Sequence, residues 1–214
     1  MSDKTVNHTN NVVYPSELAG VKRGEPMAWD DANHEKPNPN FNKGGDYTMN
    51  CQTCVVAFEA RLRGFDVQAL PNTRGSKLDE LSRHTNLAWV DPNTGRPPDY
   101  IVGNKIATAE ECKNYLEQTI ETGHRYTFEF TWKGRVVRGH IISVDRSEDG
   151  LLRLYDPQDG KQHRKSQIDK YLSRLKYSME LHGLEIPLPP KILRIDDKGF
   201  DVDTVNKILE RASL

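Results

Sequence analysis

Four residues of this chain have the types that thiol chemistry needs: Cys51, Cys54, His140 and Asp156. His140 lies in the run RVVRGHIISV and Asp156 closes the run LLRLYD, two strand-like stretches separated by the turn sequence DRSEDG. Setting their apolar residues on one face pairs Val144 with Leu152, Ile142 with Leu154 and His140 with Asp156. A one-residue slip would put Ser143 and Ile141 opposite the apolar set, so burial favours the first register. Directly opposed residues have Cβ atoms roughly 4.5–5.5 Å apart, a gap an imidazole and a carboxylate can bridge. A carboxylate on one ring nitrogen fixes the tautomer and leaves the other nitrogen free to take a proton. A cysteine that gives up that proton becomes a nucleophile, and a helix start beneath it further favours the thiolate.

The run CQTCVVAFEARLRGFDV supplies such a helix. Apolar residues at 51, 54, 55, 58 and 62 follow helical spacing, Arg61 and Arg63 lie off that stripe, and Gly64 is a natural stop. Phe65–Leu70 then reads as a short strand closed by Pro71 and Asn72. Either cysteine can serve as nucleophile. With Asn50 as cap, Cys51 falls in the first turn; with Thr53 as cap, Cys54 opens the helix. Preference goes to Cys51, because only the amide end of a helix activates a thiolate and the VVAF run carries residue 54 towards the core.

Other readings of the CxxC pair fare worse. A zinc ribbon wants a second CxxC or an HxxxH, and the sequence has neither. A redox motif would follow a buried strand, and DYTMN is too polar for one. Three cysteines are an odd count in a chain too long to need stapling, and Cys112 reads as a core residue. No metal or organic cofactor is called for. Candidate oxyanion or substrate-binding residues are Asn50, Gln158 and Trp89. Gln158 has a competing role in the PQDG turn, and Trp89, in the AWVDP loop, competes between the cleft border and the core. Trp132 reads as core, and His84, His124 and His163 read as surface residues.

The elements that must position these residues make an α+β domain. Residues 1–45, rich in Asn, Pro, Gly, Asp and Lys, read as an extended or disordered arm with a few anchors at Val12–Tyr14, Met27–Trp29 and Phe41. Residues 46–214 form the catalytic domain. Ser76–Asn104 reads as a long irregular stretch, dense in Pro and Gly through Asp91–Asp99. Ala107–Thr122 is a helix with a Thr108/Glu111 capping box. Tyr126, Phe128, Phe130 and Trp132 then alternate with polar residues, opening an antiparallel meander of three strands. Gln167–Leu181 reads as a helix, ILRID as a strand and Asp203–Ala212 as a terminal helix.

Bulk properties narrow the function. The formal charge is -1, which argues against a nucleic-acid binder working by bulk charge. No apolar run approaches the roughly 18–20 residues of a membrane span. The N-terminus has no basic-then-apolar signal layout, so classical secretion is not expected.

MNCQTCVVAFEARLRGFDVQALP, RGHIISVDR and LRLYDPQDG, with the NPNF lead-in and the AWVDP loop, together resemble the papain-fold toxin domains of bacterial polymorphic toxins and phage-borne effectors. The resemblance runs from about Asn38 to the C-terminus. It implies a papain-like fold, with an N-terminal catalytic helix packed on an antiparallel sheet and further helices at the C-terminal end. It also implies a glutamine deamidase working on a target protein through a Cys–His–Asp triad. Partners would be a protein carrying the target glutamine and an immunity or delivery protein, with the action in a target-cell cytoplasm. A protease, a transglutaminase or a binding module with a vestigial triad would share the same layout.

Overall fold

The computed structural model describes residues 14–33, 35–81 and 84–212. The anchors Val12 and Val13 of the expected arm therefore lie outside the described residues. From Tyr14 onward this segment is docked on the domain. It forms a tight hairpin, β1 (Glu17–Leu18) and β2 (Val21–Lys22), and a single helical turn, α1 (Trp29–Ala32). Leu18, Val21 and Ala32 are buried, and Trp29 packs edge-on against Phe58 and Tyr155. The irregular backbone is tied down as well: Ala69 N–H donates to Pro37 O and Gly24 N–H to Gly64 O, both at 2.8 Å. Composition counts polar side chains but cannot see these main-chain bonds, which is why the segment looks unpacked in sequence.

Helix α2 (Cys51–Leu62) follows and ends where expected. Gly64 has φ 98°, and a Cβ there would lie 2.4 Å from Gly24 O, so only glycine lets the chain turn and pass. The helix is buried almost all round. Arg61 and Arg63, read as lying off the apolar stripe, are both buried. Arg61 donates to Ala32 O and Val67 O, and Arg63 to Ile195 O and Lys198 O. Glu59 sits between Arg63 and Arg125 with contacts of 2.7–2.8 Å. Charged side chains thus clamp the central helix to its surroundings.

Next come β3 (Val67–Ala69), α3 (Lys77–Leu81), β4 (Trp89–Val90) and β5 (Ile101–Val102). The stretch expected to be irregular therefore holds short elements, though Asp91–Asp99 has no helix or strand. Helix α4 (Ala109–Thr119) carries the expected capping box, with Glu111 N–H on Thr108 Oγ1 and Thr108 N–H on Glu111 Oε2. The meander is β6 (Arg125–Thr131), β7 (Gly139–Arg146) and β8 (Leu152–Asp156), extended by an unforeseen β9 (Lys161–Arg164).

The C-terminal part departs most from expectation. Helix α5 (Ser166–Leu172) stops well short of Leu181. The hairpin β10 (Ser178–Leu181) and β11 (Leu184–Pro187) follows, because His182 and Gly183 both adopt positive φ, the requirement of a tight two-residue turn. After β12 (Lys191–Arg194) and β13 (Gly199–Phe200), the expected terminal helix shrinks to α6 (Val202–Val205). Residues further on form β14 (Leu209–Arg211), drawn into pairing with β3, so tertiary pairing overrides local helical preference.

Six strands make the main antiparallel sheet in the order β5-β12-β6-β7-β8-β9. Alternation along β7 divides the core. Ile141 joins the cluster of Cys54, Val55, Ala60 and Trp89 around α2, while Ile142 joins that of Leu116, Phe128, Leu154 and Leu172 around α4 and α5. The sheet is covered on both faces, and its open end, where β7 begins and β8 finishes, meets the start of α2.

Candidate active site

The start of α2 is held from three sides. Asn50 does not cap the helix through its side chain. Its Nδ2 instead donates to Leu70 O at 3.1 Å and to Asn38 Oδ1 at 3.3 Å. Thr53 Oγ1 donates to Asn50 O at 2.8 Å. Asn38, buried in the NPN lead-in, donates to Tyr47 O and to the main-chain carbonyl of Gln158, each at 2.9 Å. These amides weld the first turn of α2 to the turn that follows β8.

The β7–β8 hairpin meets the expected face but not the expected register. Val144 pairs with Leu154 and Arg146 with Leu152, two residues away from the alignment read in sequence. A two-residue shift preserves the face, since side chains alternate with period two, and it lets the strands pair as far as Arg146 and Leu152, leaving 147–151 as the loop. His140 is therefore diagonal to Asp156 and not directly opposite. The contact survives: His140 Nε2 lies 2.6 Å from Asp156 Oδ2, with both side chains buried. Asp156 Oδ1 accepts the N–H of Gln158 at 3.0 Å, which fixes the carboxylate plane.

With Nε2 on Asp156, the ring's Nδ1 is the nitrogen left to face Cys51, whose thiol in the resting site donates to Gln52 Oε1 at 3.5 Å. Burial opposes a charge on His140. The charge of Asp156 and its hydrogen bond, helped by the neighbouring Cys51, overcome it and raise the imidazole pKa to about 10. Around the ring stand Phe130, its direct partner across the β6–β7 ladder, and Trp132, 5.5 Å away at an interplanar angle of 31°. Arg174 stacks on the outer face of Trp132 at 4.6 Å.

The two cysteines separate cleanly. Cys51 is partly exposed and lines a cleft of about 510 Å³ together with Gln52, Met49, Trp132, His140 and Asp156. Cys54 is 0% exposed, and burial, with the negative neighbours Cys51 and Asp156, pushes its thiol well above the usual range. Cys112 is buried in the other core, as expected.

Of the residues read as oxyanion or substrate ligands, Trp89 is a correction. It is fully buried, stacks on Phe200 at 5.1 Å, and does not line the cleft, because β4 pairs with β13 and turns the indole inward. Asn50 and Gln158 do belong to the site, but not as side-chain donors. In one orientation of its carboxamide Gln158 Nε2 donates to Asn50 Oδ1 at 3.3 Å; with the oxygen turned to the donors, Oε1 instead accepts the N–H of Asn50 at 3.1 Å and that of Cys51 at 3.0 Å. Two backbone N–H groups thus converge on one point beside the thiol.

Trp132, read as core, does pack partly against it, and it also lines the cleft beside His140, a place that sequence reasoning did not give it. Extending the alternation of β6 across to β7 pairs Phe130 with His140 and sets Trp132 beside it, so the signal was present in the hairpin. Asp79, Glu129, Asp159 and Arg138, which also line the cleft, carry no comparable signal.

A helix opening on a thiol, packed against an antiparallel sheet whose end presents an imidazole–carboxylate pair, is the architecture of the papain-like class. Residues 49–161 match the family described as papain fold toxin 1, glutamine deamidase. That span is more than half of the chain, and the chain belongs to this family. No curated protein matches it.

Proposed function

We propose that this domain deamidates glutamine side chains of a target protein, with Cys51 as nucleophile, His140 as general acid and base, and Asp156 as the group orienting the ring. The observation that carries the reading is the convergence of the Asn50 and Cys51 N–H groups on one point, occupied by a carboxamide oxygen, next to a thiol that faces a charged imidazole. Oxyanion donors act at about 2.7–3.1 Å from the developing charge, and these two N–H groups lie at that range from the Gln158 oxygen. A substrate glutamine displacing Gln158 would place its own carbonyl oxygen there.

Cys51 Sγ then bonds to the substrate Cδ, and the oxyanion is held by the two amides. The C–N bond breaks as His140 passes its proton to the departing ammonia. Water, deprotonated by His140, attacks the thioester, releasing a glutamate side chain and the thiol. Asp156 keeps Nε2 engaged throughout, so that Nδ1 alone handles the proton. In a toxin setting the protein partners would be the target and an immunity or delivery protein.

The test is ammonia release from an unfolded glutamine-rich protein, with the product mapped by mass spectrometry and Cys51→Ala as control. Amide-to-acid conversion at glutamine, lost in Cys51→Ala, is the expected outcome. Peptide-bond cleavage, or incorporation of an added primary amine without net deamidation, would instead assign a protease or a transglutaminase.

A further inference from the structure

Cys54 has no part in that mechanism, yet it lies one turn below the nucleophile on the same helix. We propose that Cys51 and Cys54 form a reversible disulfide that protects the nucleophile from irreversible oxidation; the activity arm of this proposal rests on Cys51 being the nucleophile. Residues three apart in an α-helix have Cα atoms about 5 Å apart, inside the roughly 4.4–6.8 Å that a disulfide spans. In the first turn of α2 the carbonyl of Asn50 accepts both the Thr53 N–H at 3.0 Å, a bond of the 3₁₀ kind, and the Cys54 N–H at 3.1 Å, a bond of the α kind, so the turn lies between the two geometries. Local closure of this turn brings the two sulfurs together without moving the sheet.

The two thiols differ in access. Cys51 faces the cleft, where a peroxide can reach it, and Cys54 is sealed beneath. In the first step the Cys51 thiolate takes one oxygen from hydrogen peroxide, giving a sulfenic acid and hydroxide. In the second the Cys54 sulfur attacks the Cys51 sulfur, and the sulfenic oxygen leaves as water with the Cys54 proton. An external dithiol reverses this by exchange, taking the electrons the peroxide removed.

The experiment treats the full chain with hydrogen peroxide, blocks free thiols and reads the peptide containing both cysteines by mass spectrometry, with and without dithiothreitol. Expected is a peptide lacking two hydrogens, unlabelled at both positions, that regains both labels and full deamidase activity on reduction. In Cys54→Ala the same dose should drive Cys51 to sulfinic and sulfonic acids, with no recovery. Sulfinic acid at Cys51 in the unaltered protein, at the rate seen in Cys54→Ala, would overturn the proposal. The mass readout in the unaltered chain depends neither on the variant folding nor on deamidase activity. A disulfide in a protein that releases no ammonia would sink the functional reading alone.

Discussion

In the orientation that satisfies both donors, the carboxamide oxygen of Gln158 lies 3.0 Å from the backbone nitrogen of Cys51, at the point where the proposed mechanism would seat a substrate carbonyl. Gln158 is pinned there by its main chain, through the Asn38 side chain on its carbonyl and the Asp156 carboxylate on its N–H.

On the proposed mechanism the side chain of Gln158 competes for the oxyanion site. In Gln158→Glu a carboxylate of the same size accepts the same two N–H groups, and charge-assisted bonds of this kind are roughly twice as strong as neutral ones. We expect kcat/KM to fall about 10- to 100-fold, a cost of about 1.4–2.7 kcal/mol. Gln158→Ala should leave the amides open and lower KM. Steady-state kinetics on one glutamine peptide checks both, and a KM unchanged in both variants would remove Gln158 from the site.

The His140–Asp156 contact sets a pH dependence. Burial disfavours the imidazolium, but Asp156 and Cys51 raise its pKa from 6.5 to about 10. For a raised pKa, the stabilising contribution is complete below 6.5 and disappears as the pH climbs through about 10. Activity that needs the charged ring should therefore hold through neutral pH and fall on an alkaline limb near 10. Asp156→Asn removes the largest raising influence, so that limb should move towards neutrality. By analogy with other triads, kcat should drop by about 10³- to 10⁴-fold. A pH–rate profile and an NMR titration of His140 give the two readouts, and an Asp156→Asn limb in the unaltered position would break the link.

Glu59 makes a prediction about stability alone. Burial works against its charge, yet Arg125 and Arg63 together hold its carboxyl below the ordinary value of 4.5. A depressed pKa contributes stability that is complete above 4.5 and is lost as the pH falls through the lower folded value. Glu59→Gln leaves the buried Arg63 and the half-buried Arg125 without a countercharge, which costs about 3–5 kcal/mol when a buried pair is broken. Urea unfolding at neutral pH should show that loss, with a smaller difference between the two proteins in acid. Equal midpoints at neutral pH would mean the clamp on α2 contributes nothing net.

Sequence made the site's chemistry legible because each element carries a strong local rule. The Cys51 helix has a stop at Gly64, and the β7 and β8 faces alternate cleanly enough that a register error of two residues still brought His140 to Asp156. What failed was decided by distant partners. Arg61 and Arg63 look solvent-facing until the carbonyls of Ala32, Ile195 and Lys198 are placed around them. Residues 209–211 pair with β3, and Trp89 turns inward, because of strands far away in the chain. Gln158 reads in sequence as a candidate oxyanion or substrate ligand, but its place as acceptor depends on two N–H groups that no side-chain pattern reveals.

The position of β12 in the sheet has a practical side. It lies between β5 and β6, yet its residues, 191–194, fall beyond the 49–161 span by which the family is recognised, and Asn38 falls before it. A fragment trimmed to that span would keep Cys51, His140 and Asp156 but strip β6 of a neighbour, baring a row of unpaired amides beside Phe128. Such a fragment is expected to aggregate before it could be assayed. The matched stretch is thus shorter than the sheet and the tether that complete the site, and a fragment meant for assay should extend past both ends of it.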